Sequence, residues 1–166
     1  MCKHHKKTML QLSTRLNALI ARSEHDFAGI SETQASAPAI QGGWSRKEIL
    51  GHLIDSASNN HQRFVRAQLQ DELRWPGYDQ SGCVRVQRYQ AARWSDLLAF
   101  WAAYNRFLAH VLAAVPAEKR NTPCWIGEYP RMTLEELAAD YLTHLEHHLD
   151  QIRPNQIRMD QIPLKT

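Results

Sequence analysis

His144 and His148 stand one helical turn apart in the segment from Tyr141 to Ile152. Residues at i and i+4 share a helix face, with Cβ atoms roughly 5–6 Å apart, so both imidazoles can reach one ion. His52 lies far upstream, in the segment from Trp44 to Leu53, and supplies a third candidate ligand. Three protein donors with one position left open is the stoichiometry of a catalytic zinc site, whereas structural sites close with four. Imidazole suits zinc and nickel, while magnesium and calcium prefer oxygen. The expected cofactor is therefore a divalent ion, zinc or nickel, on His52, His144 and His148. The competing reading of His144 and His148 is as ordinary hydrogen-bonded core or surface residues.

These side chains need helices to position them. Apolar residues at helical spacing predict a first helix from about Lys7 to Ile30, with Leu12, Leu16, Ile20 and Phe27 on one face. The Ser-, Ala-, Pro- and Gly-containing stretch 31–43 reads as a loop. A second helix opens on the capping box Ser45/Glu48 and runs to about Gln70. A long connection from Asp71 to Trp94 follows, with a short helix expected near Val84 to Ala91. The third helix spans about Ser95 to Val115 and is stopped by Pro116. The fourth opens on Thr133/Glu136 and ends at Ile152, before Arg153 and Pro154. No segment reads as a sheet.

Four long helices in one small chain predict an all-α, four-helix bundle over residues 1–154, with a tail at 155–166. The long second connection permits helices two and three to run parallel. His52, early in helix two, meets His144 and His148, late in helix four, only if those helices are antiparallel neighbours. An up-down-down-up order satisfies both conditions.

Helical phase separates the histidines further. His148 falls within the apolar face of helix four and His144 at its edge, whereas His147 points about 100° away. Asp140, one turn before His144, is a candidate to orient the ring of that residue, the alternative being a surface acid. His52 sits on a polar stripe with Ser56, Asn59 and Arg63. Such a stripe is either solvated or borders a cleft. In the second case Asn59 and Arg63 are candidates to grip an anionic substrate. The arginines of the middle third, among them Arg66, Arg74, Arg85 and Arg88, would suit the same ligand charge.

Composition narrows the field. The chain has 166 residues, 43% hydrophobic and 22% charged, with a net charge of +3 and a pI near 8.9. That is one globular domain's worth of core, and a charge too slight to imply nucleic acid. Cys2, Cys83 and Cys124 show neither zinc-ribbon spacing nor a disulfide framework. No run approaches the roughly 18 apolar residues of a membrane span. The expectation is a cytoplasmic protein acting on a small molecule, with no membrane or nucleic-acid partner. A homodimer is also expected, since Ile157, Ile162 and Leu164 lie beyond the last helix. No P-loop, dinucleotide fingerprint or nucleophile elbow is present, and no side chain stands out as catalytic in itself.

Three motifs together resemble the DinB-like, YfiT-type family. They are Trp44-Ser45-x-x-Glu48-x-x-x-His52-Leu53-x-Asp55, the connection Tyr78-Asp79-Gln80, and His144-x-x-x-His148-x-x-Gln151-Ile152. The resemblance covers about Leu12 to Ile152. It implies an up-down-down-up bundle whose His52, His144 and His148 hold a divalent metal. Members include metal-dependent transferases and isomerases that use low-molecular-weight thiols, and proteins described as metal-dependent hydrolases. What the resemblance implies is thus a thiol-dependent S-transferase acting on a small electrophile. A hydrolase, or a non-catalytic ligand-binding or stress-response protein, is the alternative.

Overall fold

The computed structural model describes residues 8–39 and 43–153. Six helices and a small sheet follow one another along the chain. They are α1 (Met9–Phe27), α2 (Glu32–Ser36), α3 (Arg46–Leu69), β1 (Leu73–Trp75), α4 (Gln80–Gln87), α5 (Trp94–Ala113), β2 (Pro123–Ile126), β3 (Met132–Thr133) and α6 (Leu134–Ile152). Three of the four long helices start on a capping box. Ser45 and Thr133 each accept the amide three residues on, and Glu48 and Glu136 reach back, so both expected capping boxes are formed. Thr8 with Gln11 does the same for α1.

Side-chain contacts fix the directions. Ser13 donates to the carbonyl of Ala109 at 2.7 Å, and the Phe27 ring meets Trp94, so α1 and α5 are antiparallel. Arg46 donates to the carbonyl of Ile152 at 2.9 Å, so the start of α3 meets the end of α6. His61 lies against Tyr104, and Lys47 reaches the carbonyl of Gln90, so α3 and α5 are parallel. Arg15 pairs with Glu146 and Arg153 with Asp26, so α1 and α6 are parallel. The result is the up-down-down-up four-helix bundle. Met9, Leu12, Phe27, Leu53, Phe64 and Trp101 are among the side chains that fill its core. Tyr141 donates to Asn105 Oδ1 in its interior, a polar pair that spans α5 and α6. No described helix is long and apolar enough to cross a membrane.

Three local expectations need correction. The stretch 31–43 carries α2, because Ser31 and Gln34 form a further capping box. The short helix of the long connection begins earlier, at Gln80, where Asp79 accepts the amide of Gly82. It stops at Arg88, whose φ of 52° is left-handed, and a 3₁₀ turn over Tyr89–Ala91 follows. Finally, a three-stranded sheet exists. β1 pairs parallel with β2, and β2 antiparallel with β3. Strands of two to four residues are too short to show alternation, and the β1–β2 pairing joins segments far apart in sequence. The tail residues Ile157, Ile162 and Leu164, on which the expected homodimer draws, lie outside the described residues.

Candidate metal centre

His52 projects from the second turn of α3, and His144 and His148 project from the last turns of α6. The antiparallel pairing of those helices brings the three rings together. The Nε2 atoms of His52 and His144 are 3.1 Å apart. Ring centroids lie 5.0 Å apart for His52 and His144, 4.8 Å for His52 and His148, and 4.6 Å for His144 and His148. One ring nitrogen from each lies within 4.8 Å of the others. Two nitrogens each ~2.0–2.1 Å from one tetrahedral ion would stand about 3.3 Å apart, so the His52–His144 separation fits shared coordination.

The protonation states fit as well. Burial, then the neighbouring charges of His144 and His148, push the His52 pKa down to about 3. Burial and the charges of His148 and His147 bring His144 to about 4. Burial also lowers His148, against a hydrogen bond to Gln151 that raises it. All three imidazoles are therefore neutral near pH 7, the form that binds metal. Two neutral rings whose Nε2 atoms face each other at 3.1 Å would repel through their lone pairs unless a proton or an ion lies between them. The donor set suits a divalent ion.

Gln151, one residue from the end of α6, sets one tautomer. Its amide nitrogen meets His147 Nε2 at 3.1 Å, and its oxygen accepts from His148 Nδ1 at 3.0 Å. That hydrogen bond leaves the lone pair of His148 on Nε2. Asp140 does not do the corresponding work for His144. It is exposed, and the Nδ1 atoms of His144 and His52 have no partner among the described residues. His147 is exposed, as its helical phase implies.

The polar stripe of α3 is where the structure departs most from hydropathy. His52 has no exposed surface, and Asp55, Ser56, Asn60 and Arg63 are buried with it. The long connection covers them. Tyr89 donates to Asp55 Oδ1 at 2.7 Å, and Gln87 Nε2 donates to the same oxygen at 2.5 Å. The other oxygen, Oδ2, is buried without a partner among the described residues. Asp55 lies three residues, close to one helical turn, beyond His52 on α3. Asn59 is half-buried and donates one amide hydrogen to the carbonyl of Asp55 at 2.9 Å, which leaves its oxygen and second amide hydrogen for a ligand. Arg63 is 8% exposed, and the stripe brings it onto the same side of α3. Asp55 carries a signal visible in the sequence, its place three residues after His52; Tyr89 and Gln87 carry none.

Two concavities flank this end of the molecule. One of about 310 Å³ is lined by Trp44, Glu48, Arg85, Arg88 and Tyr89, and the Trp44 ring packs on His52 with centroids 5.3 Å apart. The larger, about 650 Å³, lies between α1 and α5 beside Phe27 and Trp94 and contains none of the three histidines. Its acids are engaged: Glu24 pairs with Arg106, and Glu32 with Lys47. The smaller one is not lined by the histidines either; it borders the site through Trp44, which packs on His52, and Tyr89, which bonds Asp55.

A bundle of this topology with three convergent histidines defines a class of metal-binding helical proteins. Residues 15–152 match the DinB superfamily, and the chain belongs to it. A Bacillus licheniformis protein named "Putative metal-dependent hydrolase" is 26% identical over 140 residues, covering 80% of this chain and 76% of that protein. A Bacillus pumilus protein of the same name is 25% identical over 124 residues, covering 74% and 70%. The fold is that of YfiT from Bacillus subtilis, described as "a probable metal-dependent hydrolase with an unusual four-helix bundle topology". That likeness has a TM-score of 0.72 at 20% identity and covers 92% of this chain and 86% of the other. With the three-histidine cluster, these relatives support a metal-dependent enzyme.

Proposed function

We propose that this chain is a metal-dependent transferase that joins a low-molecular-weight thiol to a small electrophile, using zinc or nickel held by His52, His144 and His148. The observation that carries the reading is the convergence of three neutral imidazoles with no carboxylate among them. A divalent ion on such a set keeps its full charge, and when bound it lowers the pKa of a thiol or water presented to its open position. The chain's own residues supply the rest. Gln151 holds His148 with its Nε2 lone pair available, Trp44 walls His52 from solvent, and Asp55 offers Oδ2 as the proton acceptor. Tyr89 and Gln87 fix that carboxylate through Oδ1, so Oδ2 is presented without losing its orientation. The thiolate sulfur then forms the new bond to carbon, and the leaving group departs with its electron pair.

Hydrolysis is the second reading, and the names of the Bacillus relatives favour it. Water would replace the thiol, with Asp55 in the same role. The test incubates metal-loaded protein with physiological thiols and a panel of soft electrophiles, beside metal-free protein and His148→Ala. Conjugation that disappears in both controls supports transfer. Metal-dependent cleavage of esters or amides without thiol transfers the assignment to hydrolysis, and no turnover in either assay leaves a binding role.

A further inference from the structure

Arg63 carries a guanidinium buried to 8% exposure, and its Nε has no partner among the described residues. Among the described residues it forms no ion pair within 4.0 Å, and its one polar contact is a long 3.4 Å approach of Nη1 to Asn60 Oδ1. The arginines around it are occupied otherwise. Arg66 lies over the Trp75 ring at 4.9 Å, and Arg74 bonds Glu72 and covers Trp125 at 4.2 Å. A buried cation with no ion-pair contact costs stability, a cost that an anionic ligand would offset.

The small sheet shows what surrounds that cation. In the parallel pair, Trp75 stands opposite Ile126, and the two chains leave the sheet at the same end. Tyr78 and Tyr129 each lie three residues further on, in the segments that leave the paired strands; Tyr129 is 66% exposed. Their turns touch. Gly127 N donates to the carbonyl of Trp75 at 2.8 Å, and a Cβ on Gly127, whose φ is +54°, would come within 3.2 Å of Gly77 N. Both phenols are electrostatic neighbours of Arg63, together with the exposed Asp140 of α6. Tyr78 is half-buried, and burial raises its pKa to about 12, so it remains a hydrogen-bond donor.

We propose that Arg63, with the hydroxyls of Tyr78 and Tyr129, forms a subsite for the carboxylate of a small molecule whose other end faces the three histidines. The guanidinium supplies a planar fork that matches a carboxylate, and two phenols complete its lone pairs. The subsite and the histidines share the α3–α6 seam. Asp140 lies one turn, about 6 Å along the axis, before His144, and a helical arginine leans back toward the N-terminus of α3, where His52 sits. Only the role of the ligand's far end rests on the metal-dependent reading above; the carboxylate contact does not.

The test is titration of metal-free protein with hexanoate and its uncharged isostere hexanamide, followed by calorimetry or NMR. The wild-type protein should bind hexanoate roughly tenfold more tightly. Arg63→Gln should abolish that preference without lowering the melting temperature, because it removes an unpaired buried charge; a structural arginine would instead destabilise when removed. Tyr78→Phe should weaken hexanoate several-fold and leave hexanamide unchanged, which keeps the idea testable even if Arg63→Gln misfolds. His144→Ala should retain the preference, so failure of the metal centre and failure of this subsite are separable. Equal binding of the two probes by wild type, or an undiminished preference in Arg63→Gln, overturns the proposal. With metal restored, tighter binding of ω-mercaptohexanoate than of hexanoate identifies the thiol as the carboxylate's carrier, and equal binding identifies the electrophile.

Discussion

Removing the metal should make this protein sensitive to mild acid, and His52 sets the size of the effect. Its pKa in the folded chain is about 3, against an ordinary 6.5. Between those values the unfolded chain binds a proton that the folded chain refuses. Stability from this group is therefore complete above pH 6.5 and is lost progressively as the pH falls toward 3. At pH 5, 1.5 units below the unfolded value at ~1.4 kcal/mol per unit, His52 alone costs up to about 2 kcal/mol. Solvent near the half-buried His144 and His148 trims that ceiling, while the lowered pKa of His144 acts in the same direction. In a domain of this size, about 2 kcal/mol moves the melting temperature by roughly 4–8 °C. The assay is thermal unfolding of chelator-treated protein, followed by circular dichroism at pH 7 and pH 5, beside His52→Gln. The variant should show the shallower pH dependence, since its amide does not titrate. Parallel slopes for the two proteins would show that His52 is not held neutral by its surroundings, and the reasoning would fail.

Two further substitutions probe the walls of the site. In Gly51→Ala the new Cβ would stand 2.1 Å from the Tyr89 ring, which its bond to Asp55 holds in place. Chemical denaturation should show a loss of about 1–3 kcal/mol from overpacking, and an unchanged midpoint would mean that Tyr89 moves freely. Asp55→Asn should leave metal content intact but slow turnover by roughly 10²-fold or more, the range for loss of a positioned proton acceptor. An unchanged rate would remove Asp55 from the chemistry.

The long helices and their order were legible because each signal is local or geometric. The Ser45/Glu48 and Thr133/Glu136 boxes mark two starts, apolar spacing marks the faces, and the separation of His52 from His144 demands antiparallel neighbours. Hydropathy alone could not see the burial of the stripe from His52 to Arg63, because what covers it is the connection carrying Gln87 and Tyr89. Asp140 is the surface acid that its alternative reading describes, while Gln151, placed beside His148 by the last turn of α6, orients that ring instead. The sheet was hidden by the brevity of its strands, and with it the turns that bring Tyr78 and Tyr129 into one neighbourhood.

Metal content most directly tests the central claim. The wild-type protein and a His144→Ala/His148→Ala double variant would be loaded with zinc or nickel, dialysed, and measured by elemental analysis alongside circular dichroism. One ion per wild-type chain is expected, with none retained by the double variant at unchanged helicity, because apolar faces and not the metal hold the bundle together. Equal metal content in the two proteins would contradict the assignment of His52, His144 and His148 as the metal centre.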